Sequence, residues 1–151
     1  MLLRTHLAIS VFFILLLLPH IQNVNDWIFI AVVLFATLLP DVDSGASTIS
    51  HKKGFGFFKY ISKHRGVFHS LTIAFFISIL LAFFLPSVSL AFFLGYGLHI
   101  FADAFTVEGV QPFWPYEKRS HWHFKTGTVT ETSLFVFLVF FDLLFFILIF
   151  V

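Results

Sequence analysis

Five apolar runs dominate this chain and limit what it can fold into. They cover residues 2–18, 27–39, 71–85, 88–105 and 132–151. A helix needs about 20 apolar residues to cross a bilayer, and shorter runs can cross where the bilayer thins locally. Because 59% of the residues are hydrophobic and only 11% are charged, a soluble domain of this size could not bury its apolar surface. The runs therefore predict an all-α integral membrane bundle of about five spans, forming a single domain over residues 1–151.

The basic residues predict an orientation for this bundle. All nine lie in the N-terminal segment or in the two long loops, 40–70 and 106–131, and the loops on the opposite side carry none. Cytoplasmic loops of membrane proteins carry an excess of lysine and arginine. We therefore expect a multi-pass protein of the cell (inner) membrane, with its N-terminus and both long loops in the cytoplasm.

Histidines and acidic residues gather at that same predicted end of the runs. The residues concerned are His6, Asp41, Asp43, His64, His69, His99, Asp103 and Glu131. Every run thus delivers at least one such residue to one end of the bundle, although ionisable residues near membrane spans are costly. This convergence is what a metal site assembled from several helices requires.

The spacing within these groups favours metal ligation. His99 and Asp103 are four residues apart, so one face of a helix presents both side chains. Imidazole and carboxylate are ligands that zinc and other first-row metals accept. Asp41 and Asp43 follow Pro40, which predicts an extended or turn-like pair that could present two carboxylates to one ion or bridge two. Ordinary turn chemistry would also explain Asp43.

Other polar residues have competing interpretations. Arg65 stands beside His64, and its planar guanidinium suits an anionic group such as a phosphate. Glu131 fits either a metal ligand or a residue that supports the site from the start of the last span. His121 and His123 are expected to be solvated side chains, although the His-x-His spacing can also chelate an ion.

Taken together, the motifs resemble those of a known family. They are His6, Leu39-Pro40-Asp41-Val42-Asp43, His64-Arg65-Gly66-x-x-His69-Ser70 and Gly95-Tyr96-x-x-His99-x-x-x-Asp103-x-x-Thr106-x-x-Gly109. In this order they resemble the membrane-bound, metal-dependent hydrolases typified by the inner-membrane protein YdjM, a family also described as LexA-binding. The resemblance covers about residues 5–135, and the one departure is Phe68, where the family usually carries a small polar residue.

The resemblance implies a metal-binding set. It consists of His6, Asp41, His64, His69, His99 and Asp103. The order of these ligands is also similar to that in the zinc-dependent phospholipase C and P1-type nucleases, which are soluble helical enzymes that cleave phosphoesters. A likeness of this kind does not transfer a substrate.

We therefore predict a metal-dependent hydrolase that acts on a phosphoester or a similar ester at the cytoplasmic face. One or two divalent ions, zinc being the expected metal, would be held by the implied set together with Glu131. Asp43 is the expected general base unless Asp41 takes that role, and Arg65 is the expected clamp for the substrate anion. We expect membrane lipid as a partner, a phosphorylated or lipid-linked substrate, and no direct binding of nucleic acid.

Two other classes of function remain compatible with the sequence. A metal-ion or proton transporter would carry its ionisable residues near the middle of the membrane, where this chain has only Asp142. A non-catalytic membrane interaction protein would show no dependence on metal. We expect Asp142 to be buried against another helix.

Overall fold

The computed structural model describes residues 1–22, 24–46 and 67–150, without the side chains of residues 42–46 and 67. This part of the chain forms five α-helices and contains no strand, so the predicted all-α fold is confirmed. The helices are α1 (Leu3–Leu17), α2 (Asp26–Ala46), α3 (Leu71–Phe84), α4 (Pro86–Ala104) and α5 (Val129–Phe150). Short 3₁₀ turns follow α1 at Leu18–His20 and precede α3 at Val67–His69.

Within the described residues, three helical segments are long and apolar enough to cross a membrane, namely Leu3–His20, Pro86–Ala104 and Val129–Phe150. Helix α3 is apolar but shorter. The outer face of α5 is an exposed apolar surface that includes Phe140, Leu143 and Ile147. A stripe of this kind is stable in a lipid environment and not in water.

Local sequence signals define several helix ends. Before α2, the Asn25 side chain accepts hydrogen bonds from the backbone N–H groups of Trp27, at 3.0 Å, and Ile28, at 3.3 Å. Before α3, the Ser70 hydroxyl accepts one from the N–H of Ile73 at 3.2 Å. Pro86 occupies the first turn of α4, where its missing N–H costs nothing.

Helix α2 does not stop at Pro40 but continues through it to Ala46. The predicted turn-like conformation of Asp41 and Asp43 is therefore wrong, because both lie in the last turns of a helix. An interior proline disturbs the hydrogen bonding of the preceding turn, and membrane helices tolerate this when a neighbouring helix satisfies the backbone. On the side of α4, the Nδ1–H of His99 donates to the Thr37 carbonyl, three residues before the proline, at 2.8 Å.

Helix α4 lies at the centre of the bundle, packed against α2 and α3, while α5 packs mainly against α1. At Gly95 the backbones of α4 and α2 touch, because an added Cβ would lie only 2.1 Å from the Val33 carbonyl oxygen. Small residues permit this close approach in membrane proteins. A buried polar contact joins α1 to this pair, because the hydroxyls of Ser10 on α1 and Thr37 on α2 lie 2.8 Å apart.

Asp142 lies half-buried in α5. Its Oδ1 atom is buried and has no hydrogen-bond partner within the described residues. Asp142 thus places a carboxyl group in the middle of α5, away from the predicted ligand residues, which lie near helix ends.

The contact at Gly95 leads to a stability prediction. Gly95→Ala should lower the free energy of unfolding by about 1–3 kcal/mol, because the new methyl group overlaps the α2 backbone. Gly97→Ala is the matched control, since its Cβ would meet only the Leu71 side chain at 3.8 Å. Thermal unfolding of the detergent-purified variants measures both effects. Equal unfolding temperatures for the two variants would contradict the close packing of α2 and α4.

Candidate metal centre

Five of the residues predicted as ligands meet at one end of the bundle. His6 comes from the beginning of α1, Asp41 from the end of α2 and His69 from the 3₁₀ turn before α3, while His99 and Asp103 come from the last turns of α4. Residues far apart in the sequence thus share one small volume. The spacing of His99 and Asp103 on a helix face is as the sequence predicted.

The potential ligand atoms of these residues are close together. The Nε2 atom of His99 lies 3.6 Å from Asp41 Oδ1 and 3.8 Å from Asp103 Oδ2. The Nε2 of His69 lies 3.7 Å from Asp41 Oδ1, and that of His6 lies 3.3 Å from Asp103 Oδ1. Two groups could each hold an ion with ligand atoms within 4.8 Å of one another, His6 with Asp41 and His99, and His69 with His99 and Asp103.

The site is buried on most sides. His6, His99 and Asp103 are at most 1% exposed, and His69 is 4% exposed. Asp41 is the open member, with 38% of its side chain accessible. The imidazoles of His6 and His99 stack with ring centres 4.0 Å apart, which brings the edges of two rings from different helices together.

Two imidazole nitrogens in this buried site, His6 Nδ1 and His99 Nε2, make no hydrogen bond within the described residues, and His6 Nε2 has the Asp103 carboxylate 3.3 Å away. A buried polar atom without a partner costs about 1–3 kcal/mol, so such atoms are rare in stable proteins unless something else satisfies them. A cation bound between these nitrogens and the neighbouring carboxylates would do so. The donor set therefore fits a divalent metal.

The orientation of His99 is determined by a residue that the sequence analysis missed. Because a carbonyl only accepts, the contact with the Thr37 carbonyl requires His99 to carry its proton on Nδ1. Its Nε2 lone pair then points toward Asp41 and Asp103, in the arrangement by which proteins orient metal-binding imidazoles. A polar residue inside the apolar run 27–39 was the available signal for Thr37.

Tyr96, which the sequence motif contains but to which no role was assigned, supports the loop that carries His69. Its hydroxyl donates to the Phe68 carbonyl. The N–H of Leu71, on the other side of His69, donates to the Pro112 carbonyl at 2.8 Å. The Phe68 ring is 39% exposed, so the departure from the family pattern at this position changes an outward side chain while the backbone contact is retained.

Glu131 is buried but belongs to neither group of ligand atoms. Its two carboxylate oxygens accept hydrogen bonds from the backbone N–H groups of Leu2 and Gly127, each at 2.6 Å. Glu131 thus ties the beginning of α1 to the beginning of α5 and supports the segment that presents His6. Of its two predicted roles, this geometry is that of the supporting residue.

Three predicted site residues cannot be placed in this centre. His64 and Arg65 lie outside the described residues, as does the side chain of Asp43.

Asp103 has a further contact, because the backbone nitrogen of Met1 lies 2.7 Å from its Oδ1. Its Oδ2 atom faces His99.

The family model described as YdjM inner membrane protein matches residues 1–150. The chain belongs to this family. Comparison with curated proteins and with solved structures gives no significant match. Membership in a YdjM inner-membrane family and three helices of membrane-spanning length agree that the protein resides in the membrane. The predicted cytoplasmic orientation stays a prediction.

The contacts of Glu131 predict a structural and not a metal-binding effect. Glu131→Gln should lower the free energy of unfolding by about 1–3 kcal/mol, because the amide cannot accept on both sides and one of the two part-buried hydrogen bonds to the Glu131 carboxylate is lost. The metal content of the purified protein should stay unchanged. The control is Glu117→Gln, an exposed acid in the loop before α5. Loss of metal with unchanged thermal stability would instead make Glu131 a ligand.

Proposed function

We propose that this protein is a membrane-bound, metal-dependent hydrolase whose one or two divalent ions are held by His6, Asp41, His69, His99 and Asp103. The observation that carries the proposal is the convergence of three buried imidazoles and two carboxylates at one end of a membrane bundle. Ligands of one tetrahedral ion with bonds of 2.0–2.1 Å are about 3.3 Å apart, close to the separations between these atoms. Zinc is the proposed metal because it accepts nitrogen and oxygen ligands together.

The bound ion would supply Lewis-acid activation of water and of the scissile ester. The contribution of the chain is to hold the donors in place in a buried site. His99 is oriented by the Thr37 carbonyl, and Glu131 fixes the segment that carries His6. Asp41, as the most accessible member, marks the side from which a substrate can enter.

The proposed substrate is a phosphoester or similar ester, with a lipid-linked phosphate as the specific candidate. Asp43 is the proposed general base, and Arg65 is the proposed clamp for the substrate anion. A lipid-linked substrate is supported by the position of the site, because α1, α4 and α5 have their site-proximal ends where a lipid headgroup would lie. We also propose that this end faces the cytoplasm.

The position of the ligands favours a hydrolase over a transporter. Transporters hold their ions near the middle of the membrane, at breaks in the helices. Here the ligand residues lie at helix ends. Asp142, in the middle of α5, is not among them, and α5 contributes no atom to the two ligand groups. The geometry thus matches chemistry at the membrane surface.

Metal analysis tests the centre directly. His99→Ala should lower the metal content of detergent-purified protein at least about ten-fold, since even supporting residues of metal sites contribute 10- to 100-fold in affinity. His20→Ala is the matched control, because His20 is exposed and lies at the opposite end of α1. Elemental analysis is compared with thermal unfolding of both variants. Wild-type metal content in folded His99→Ala would refute the proposed centre.

Hydrolysis of a chromogenic phosphodiester tests the chemistry. A chelator should abolish it, and added zinc should restore it. Arg65→Gln should lower kcat/KM by about 10²–10³, the usual cost of losing a group that stabilises developing negative charge. Lys63→Gln, two residues away, should retain activity. A protein that binds zinc without hydrolysing esters, yet carries zinc into vesicles, would be a transporter.

A further inference from the structure

A groove of about 440 Å³ lies in the loop between α4 and α5, formed by residues that the metal centre does not use. Its lining residues are Val107, His121, Trp122, His123 and Lys125. None of them belongs to the two groups of metal-binding atoms. The groove is therefore a separate feature at the same end of the bundle.

The loop holds this groove in a defined shape through backbone hydrogen bonds. Trp122 N–H donates to the Thr106 carbonyl at 3.1 Å, and Val107 N–H donates to the Phe124 carbonyl at 3.0 Å. Farther along, Val110 and Ser120 exchange a pair of bonds of 3.0 and 2.9 Å. The lining residues thus lie on a loop whose backbone is held in place by hydrogen bonds.

The chemistry of the lining favours an anion. It offers an ammonium group, two imidazoles and an indole N–H, and the described lining residues include no carboxylate. The His121-x-His123 spacing could chelate a metal, but the ammonium of Lys125 in the same groove would repel a cation. A phosphate accepts several charge-assisted hydrogen bonds and suits this set.

The position of the groove identifies the source of that phosphate. The loop joins the C-terminal end of α4 to the N-terminal end of α5, both of membrane-spanning length, so it lies at the membrane–water boundary. Trp122 is 64% exposed there, as is typical of indoles at the headgroup level. Trp122 and Val107 add an apolar wall beside the cationic group, which matches a headgroup that continues into a lipid.

We propose that this groove binds the phosphate of an anionic phospholipid, with Lys125, His121 and His123 around the phosphate and Trp122 against the adjoining apolar part. The site is independent of the metal centre, since it shares no residue with it. Its ligand is a lipid of the surrounding bilayer and not the hydrolysed substrate.

Fluorescence of Trp122 in lipid nanodiscs tests the proposal. Trp27→Phe and Trp114→Phe remove the other two tryptophans and leave Trp122 as the reporter. Brominated phosphatidylglycerol and brominated phosphatidylcholine are compared as minor components in otherwise identical discs. Phosphatidylglycerol should be enriched about five-fold at the groove, the factor that corresponds to about 1 kcal/mol for one basic residue at an anionic surface. Its quenching should be correspondingly stronger.

Two variants distinguish the groove from general surface charge. Lys125→Gln should abolish the preference for phosphatidylglycerol, while Lys118→Gln, which removes the same charge from an exposed position outside the groove, should retain it. Counting bound lipids on the wild-type protein by native mass spectrometry provides an independent measurement, without the tryptophan substitutions.

Three results would overturn the proposal. The first is equal quenching by the two lipids together with equal occupancy in the mass spectrum. The second is an equal loss of preference in both lysine variants, which would indicate only a diffuse charge effect. The third is a response of Trp122 to zinc that His121→Gln removes, without any headgroup preference, which would assign a metal site instead. None of these results depends on whether the protein hydrolyses esters.

Discussion

The contact between α2 and α4 at Val33 and Gly95 is the constraint on which the candidate site depends. On α2, Thr37 and Asp41 follow Val33 at intervals of four residues, and on α4 His99 follows Gly95 at the same interval. These residues are also in contact between the two helices. Residues at this spacing share one helix face, so the two helices run parallel with these faces together. The backbone contact at Gly95 therefore determines that Thr37 orients His99 and that Asp41 faces it.

Helix α1 runs in the opposite direction and contacts the same faces of α2 and α4. Ser10 contacts Thr37, and one turn earlier His6 stacks on His99 and approaches Asp103. Thr37 donates its hydroxyl proton to the Val33 or Gly95 carbonyl, so the Ser10 hydroxyl donates to Thr37 Oγ1, and these polar groups need no water in the bundle. His6 Nδ1 and His99 Nε2 are the contrasting case, because they are buried and make no hydrogen bond within the described residues.

Much of the fold and part of the site could be predicted from residue order. The apolar runs indicated the helices, and His99 with Asp103 formed a ligand pair through helix periodicity alone. The end of α2 could not be predicted, because the proline rule is local whereas α2 packs against α4, whose residues lie far along the chain. Glu131 was ambiguous for the same reason, since its partners Leu2 and Gly127 meet only in the folded chain.

The sequence by itself determined that this chain forms apolar helices with ligand-type residues at one end, because helix periodicity and hydropathy are local properties. Only the tertiary structure decided which of those residues meet. It brought His6, Asp41, His69, His99 and Asp103 together and assigned the carboxylate of Glu131 to two backbone N–H groups. The physical reason is that distances between helices depend on packing, and here on one glycine that lets two backbones touch.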